Sequence, residues 1–199
     1  MRVALIDAGG SNIGSVRHAL ERLGAEVVAG GDAASIHACE RVILPGVGVA
    51  AAAMARLREQ GLIDVIRDLT QPLLGICLGM QILFESSEEG EVKTLGVLRG
   101  RIRRLPQAPG IRIPHMGWNR LAFRRDSHLL EGIESGAQCY FVHSYAAPVT
   151  DDCVAASAHG VPLVAVVERG NVAGMQFHPE RSGAVGARLL ENFLSGGAA

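Results

Sequence analysis

Four short, unbroken apolar runs in the first half of the chain limit what it can become. They are Val3-Ala4-Leu5-Ile6, Val27-Val28, Val42-Ile43-Leu44 and Leu73-Leu74-Gly75-Ile76. Successive side chains of a strand point to opposite faces. A continuous apolar run therefore needs cover on both sides, the situation of a parallel strand between two helical layers. The segments between the runs supply such helices. Ile13, Val16, Leu20 and Leu23 recur at helical spacing up to Gly24, residues 50–60 are alanine-rich, and residues 62–69 resume the pattern after Gly61. Residues 77–84 take helical character directly after the fourth run. The order strand, helix, strand, strand, helix, strand, helix predicts an α/β fold of three layers, a mostly parallel central sheet flanked by helices.

The second half reads differently. Strands are predicted at residues 97–103, 138–143, 154–158, 163–168 and 172–176, and a helix at 184–194. This predicts a smaller antiparallel β region beside the parallel sheet. No repeat, low-complexity tract or linker divides the sequence, so residues 1–199 read as a single domain.

Composition narrows the partners. The formal net charge is −1 over 199 residues, so no charge excess draws the chain to nucleic acid or to an anionic membrane. Apolar stretches fall well short of the ~20 residues that span a bilayer. The run at residues 3–6 ends at Asp7 and does not resemble a signal peptide, so a cytoplasmic location is expected. Cys39, Cys77, Cys139 and Cys153 show no CxxC spacing, which argues against a zinc site and for reduced thiols.

Gly75-Ile76-Cys77-Leu78-Gly79 sets a cysteine between glycines where a strand meets a helix, the pattern of a nucleophile elbow. The glycines relieve a sharp turn, and the helix start offers N–H groups and a field that favours thiolate. The N–H of Leu78 can donate to an oxyanion. A buried structural cysteine in a βα turn fits the same five residues. In Gln176-Phe177-His178-Pro179-Glu180, Pro179 biases His178 towards extended backbone. Residues two apart then share a side, so His178 and Glu180 can act as base and orienter. A histidine near a turn with a solvated glutamate fits as well. Pro45-Gly46-Val47-Gly48 is either a loop able to bring an N–H to a ligand or an ordinary βα turn. Gln138 to Tyr145 read as a strand ending in polar and aromatic groups, suited to substrate recognition, or as an ordinary sheet strand with Tyr at its rim. Trp118, in Pro114-His115-Met116-Gly117-Trp118-Asn119, is a core anchor or an interface residue.

Taken together, these segments resemble the class I (triad) glutamine amidotransferases over nearly the whole chain. GICLGMQ at 75–81 and QFHPE at 176–180 carry the resemblance, and PGVG at 45–48, PHMGWN at 114–119 and YFVHSY at 140–145 are similar to one branch, the glutaminase subunits of imidazole glycerol phosphate synthase. The resemblance implies Cys77 as nucleophile, His178 as acid and base, and Glu180 as its orienter. It implies an oxyanion region at Gly46, Val47 and Leu78. It implies that Gln81, Glu89, Ser144 and Tyr145 hold the amine and carboxylate of glutamine, with Glu88 a competitor for the place of Glu89. No metal or organic cofactor is implied. The implied partners are L-glutamine and a cyclase subunit with a (βα)8 barrel, in a heterodimer that uses the ammonia. Ala8, Val49-Ala50 and Arg181 depart from the family pattern and bear on the partner interface. Three rivals remain at this point: the glutaminase of anthranilate or aminodeoxychorismate synthase, a Cys-variant α/β hydrolase, and a non-catalytic module. The hydrolase is disfavoured because Glu180 follows His178 by two residues.

Overall fold

The computed structural model describes residues 1–10 and 13–196. The chain runs through β1 (Arg2–Leu5), α1 (Ile13–Arg22), β2 (Glu26–Ala29), α2 (Ala33–His37), β3 (Arg41–Gly46), α3 (Ala50–Glu59), α4 (Ile63–Arg67), β4 (Leu73–Cys77) and α5 (Leu78–Gln81). It continues through β5 (Ser86–Ser87), β6 (Val92–Lys93), β7 (Arg101–Arg104), β8 (His115–Arg120), β9 (Ala122–Phe123) and β10 (Gln138–His143). It ends with β11 (Tyr145–Ala146), β12 (Cys153–His159), β13 (Val161–Arg169), β14 (Val172–Met175) and α6 (Gly183–Ser195).

Eight strands form the central sheet in the order β2-β1-β3-β4-β14-β13-β12-β9. The pairings from β2 to β14 are parallel, and those beyond β14 are antiparallel. Each apolar run splits between two cores. Val3, Leu5, Ile43 and Leu74 pack on one face with Val16 and Leu20 of α1 and Leu189 and Phe193 of α6. Ala4, Ile6, Val42, Leu44 and Leu73 pack on the other with Met54 and Leu57 of α3 and Ile66 of α4. The three expected layers follow from that alternation. Arg41, buried in β3, reaches back to α6 by donating from Nε to the Leu194 carbonyl at 2.9 Å.

The antiparallel part of the second half is largely an extension of the central sheet. Outside it lie a ribbon of β8 and β10 and a sheet in the order β11-β7-β5-β6. Several sequence-predicted bounds shift. The helix expected over residues 77–84 stops at Gln81, because Leu95, Leu98 and Gly96 donate to the carbonyls of Ile82, Leu83 and Phe84. The strand expected over 97–103 begins only at Arg101. Helix α2 and strand β8 fall where the sequence reading placed no element. Asp32 and Ser35 cap α2 reciprocally, an Asp-x-x-Ser box that was there to be read.

Candidate active site

Parallel neighbours end at the same edge of a sheet, so the segments after β3, β4 and β14 must meet. Register makes this specific: Gly46 lies beside Cys77, and Met175 beside Ile76. The residues after Met175 therefore continue past the cysteine. Open α/β sheets bind ligands at this carboxyl edge.

Cys77 sits at the junction of β4 and α5 with φ 54° and ψ −112°. A non-glycine residue rarely holds that backbone, and such strain costs on the order of 1–3 kcal/mol. The flanking glycines make room for it. A Cβ on Gly79 would stand 1.7 Å from the Leu44 carbonyl oxygen, and one on Gly75 would stand 2.7 Å from the Met80 nitrogen. Helix α5 is a single turn, Leu78–Gln81, so what it offers beside Cys77 is first-turn N–H groups rather than a long dipole.

The Cys77 sulfur lies 3.9 Å from the Val142 carbonyl and 3.9 Å from Gln176 Nε2, and its side chain is hydrogen-bonded to His178. His178 Nδ1 lies 2.8 Å from Glu180 Oε1, with both side chains buried. Burial by itself lowers the His178 pKa. The hydrogen bonds and charges of Cys77 and Glu180 outweigh it and raise the pKa to about 10. His178 is extended as expected, but Glu180 lies in a 3₁₀ turn over Pro179–Arg181. The pairing is thus made by a tight turn that Pro179 starts, not by an extended segment. The backbone is clamped there as well: the His178 N–H donates to the Tyr140 carbonyl at 2.9 Å, and Ser182 Oγ donates to the His178 carbonyl at 2.7 Å.

A cavity of about 310 Å³ opens on the sulfur. Cys77, His178, Val47, Leu78, Gln81, Glu89, Ser144 and Tyr145 all line it, joined by Gly48, Val142 and His143. Two of the sequence-selected residues stand just outside. Gly46 backs the elbow, where a Cβ would meet the Gly79 nitrogen at 3.1 Å, and Glu180 lies behind His178. Glu89 rather than Glu88 faces the cavity. Glu89 Oε2 accepts from the first N–H of α3, that of Ala50, at 3.0 Å. Glu88 is turned away, accepting from the Arg104 N–H and pairing with Arg101.

The other three cysteines are buried free thiols. Burial pushes Cys139 up to about 12 and Cys153 up to about 11, and raises Cys39, which holds all three in the unreactive protonated form. Among the described residues no cluster of His, Cys, Asp or Glu is arranged to hold a metal. A thiol beside an imidazole, oriented by a carboxylate at the foot of a cavity, is equipped for nucleophilic attack on a carbonyl carbon.

A family model for class-I glutamine amidotransferases matches residues 4–196. The chain belongs to that family. Over 192 residues it is 61% identical to the imidazole glycerol phosphate synthase subunit HisH of Xanthomonas axonopodis pv. citri (strain 306), with 96% of each chain covered. It is 60% identical to the subunit of the same description from Xylella fastidiosa (strain Temecula1 / ATCC 700964), again over 96% of each. A crystal structure of a glutamine amidotransferase superposes with a TM-score of 0.72 at 24% identity, covering 96% of both chains, a likeness of fold. Gln176, His143, Val142 and Gly48 line or back the cavity at the elbow without having been assigned roles from sequence. Gln176 and His143 stood inside quoted motifs: His143 continues the buried alternation of Cys139 and Phe141 on β10, and Gln176 follows directly on the buried end of β14, so each is a polar residue where its neighbours mark burial.

Proposed function

We propose that this chain is the glutaminase subunit of an imidazole glycerol phosphate synthase, acting as one amidotransferase domain in the cytoplasm in histidine biosynthesis. The observation that carries the reading is the shared cavity: residues chosen from separate motifs converge on the Cys77 sulfur. Glutamine enters with its side-chain amide over Cys77, and the thiolate attacks the amide carbon. The Leu78 N–H and that of Val47, beside Gly46, take the negative charge, each such donor contributing roughly 3–4 kcal/mol. His178, held by Glu180, protonates the departing ammonia and leaves a γ-glutamyl thioester. It then takes a proton from water, which attacks the thioester and releases glutamate. Gln81 engages its side-chain N–H₂ with the Tyr145 carbonyl and with Gln176, so its Oε1 is the atom it offers to the glutamine ammonium, alongside the Glu89 carboxylate. Ser144 and Tyr145 face the carboxylate.

Ammonia that reaches water becomes ammonium and is no longer a nucleophile, so a second active site must take it up. That site belongs to a cyclase subunit with a (βα)8 barrel, whose products are imidazole glycerol phosphate and the aminoimidazole carboxamide ribotide. Met116 and Trp118 on β8, 67% and 55% exposed, form an apolar strip of the kind a partner covers. The test is glutamate release by the purified chain, with and without the cyclase and its ligand. Cys77→Ala is expected to abolish glutamate release while leaving the fold intact, and added ammonia is expected to restore cyclase product in the same complex. Glutamine hydrolysis by the Cys77→Ala complex would overturn the assignment.

A further inference from the structure

The Tyr145 carbonyl, on the wall of the glutamine cavity, accepts two hydrogen bonds. One comes from Gln81 Nε2 at 2.7 Å and one from His143 Nδ1 at 2.8 Å. A carbonyl only accepts, and from that single fact the protons of a longer chain follow. His143 must carry its proton on Nδ1. Its Nε2 lies 2.9 Å from His115 Nδ1, directly across the β8–β10 ribbon. If His143 is neutral, that Nε2 is a lone pair and His115 must likewise be protonated on Nδ1. His115 Nε2 then accepts from Asn119 Nδ2 at 3.1 Å, and the same Nδ2 donates to the Ala158 carbonyl at 2.9 Å. The Asn119 amide is oriented independently, because its Oδ1 accepts from the Arg120 N–H at 2.8 Å. Both ends of the chain agree on one direction.

A proton added to either ring would set two N–H groups against each other at the His115–His143 contact. Burial opposes that charge, and so do the neighbouring histidines. The His143 pKa is lowered to about 3 and that of His115 to about 4. On the other side of Tyr145, Gln81 Nε2 also donates to Gln176 Oε1 at 3.0 Å, which turns Gln176 Nε2 towards the Cys77 sulfur. The fully buried Gln176 is thereby held in one amide orientation.

We propose that His143 and His115 are positioning residues for the glutamine cavity: neutral and protonated on Nδ1, they fix the Tyr145 carbonyl and, through it, the orientation of the Gln81 amide. The proposal rests on the glutaminase reading for what the cavity binds. Its consequence is specific. Were the Tyr145 carbonyl free to turn, Gln81 would lose one of the two acceptors that keep its N–H₂ away from the ligand. It would then present a donor to an ammonium group. The larger effect falls on holding the amine end of glutamine and so on KM, and kcat changes only as far as Gln176, beside the Cys77 sulfur, turns with Gln81.

Three substitutions at one position separate positioning from packing. An asparagine nitrogen can stand near Nδ1 and keep the bond to Tyr145. A glutamine side chain reaches the place of Nε2 and keeps only the contact to His115. A phenylalanine keeps the ring and loses both. In the complex with the cyclase, His143→Phe is expected to raise KM for glutamine by roughly ten-fold, the size of one lost hydrogen bond, with kcat little changed. His143→Asn is expected to recover most of that affinity and His143→Gln little of it. A packing role predicts the reverse order, with phenylalanine best tolerated. Wild-type KM in His143→Phe, or equal KM in the two amide variants, overturns the proposal, and the second comparison decides even where His143→Phe does not fold. Nitrogen-15 NMR of the histidine-labelled chain gives a readout independent of activity: two neutral Nδ1–H rings are expected for His115 and His143, and an Nε2–H ring at either position refutes the chain. A wild-type complex that releases no glutamate would instead sink the glutaminase reading while leaving the NMR result standing.

Discussion

The parallel half of the central sheet and the β8–β10 ribbon follow opposite rules for where polar groups go. In β1, β3 and β4 both faces are apolar and buried except at the first residues Arg2 and Arg41, and each face supplies one of the two cores. In the ribbon the buried face mixes His115, His143 and the partly buried Asn119 with the apolar Cys139 and Phe141, while Met116 and Trp118 stand outside. The parallel strands need only bury area, which stabilises by about 25 cal/mol per Å² and asks little of geometry. The ribbon's inner face must instead match donors to acceptors, because an unmatched buried polar group costs about 1–3 kcal/mol. Its outer face sets the exposed Met116 and Trp118 beside Arg120 and Gln138, an apolar strip with a polar edge that suits a surface another chain covers. Burial therefore follows hydrophobicity along most of the parallel strands, with the hydrogen-bonded Arg41 the exception, and departs from it again beside the cavity.

The largest expected effect tests the parallel half. Gly79→Ala places a Cβ against the Leu44 carbonyl at 1.7 Å, backbone against backbone, where neither side has room to yield. The elbow is expected to distort and the protein to misfold or to lose all glutamine hydrolysis, read by circular dichroism and glutamate release. A soluble Gly79→Ala chain with wild-type turnover would show that the close approach does not govern the elbow.

The next effect tests the ribbon's outer face. Replacing Met116 and Trp118 together by alanine removes exposed side chains that support no core. Cyclase affinity is expected to fall by about ten- to a hundred-fold, as for a buried aromatic anchor of an interface, with the melting temperature of the isolated chain essentially unchanged. Calorimetry on the mixed subunits checks the first expectation and thermal unfolding the second. Unchanged affinity would return the strip to ordinary surface.

The same contrast explains what could be read from sequence. The unbroken runs of β1, β3 and β4 announced a doubly covered sheet, and their register made the meeting of Gly46, Cys77 and the segment after Met175 a matter of geometry. Strand β8 was missed because its alternation is inverted: His115, Gly117 and Asn119 turn inwards, and the apolar Met116 and Trp118 turn out, so a search for a buried apolar face finds none. The two-residue strands β5, β6, β9 and β11 hold too few residues to show any period. His143 was visible only as the polar end of a strand. Its place in a hydrogen-bonded chain depends on cross-strand register with His115, a long-range fact that no local pattern contains.

The smallest effect sets the two regions against each other through pH. His178, at the carboxyl edge of the parallel strands, binds its proton more tightly folded than unfolded, about 10 against the ordinary 6.5. Its contribution to stability is complete below pH 6.5, declines as pH rises, and is gone above the folded value. His115 and His143 bind theirs less tightly when folded, at about 4 and about 3. Their contribution is complete above pH 6.5 and is lost as pH falls towards those values, since the unfolded chain takes up protons first. Stability should therefore peak near the ordinary histidine pKa, with each limb falling by about 1 kcal/mol per pH unit for each histidine involved. Urea unfolding between pH 5 and pH 9 would trace the curve, at values where most carboxylates stay ionised. His143→Phe is expected to flatten the acid limb and His178→Gln chiefly the alkaline limb. The charge of His178 also helps lower the His143 pKa, so His178→Gln is expected to soften the acid limb slightly; were one substitution to flatten both limbs equally, or neither, the opposite signs assigned to these histidines would be wrong.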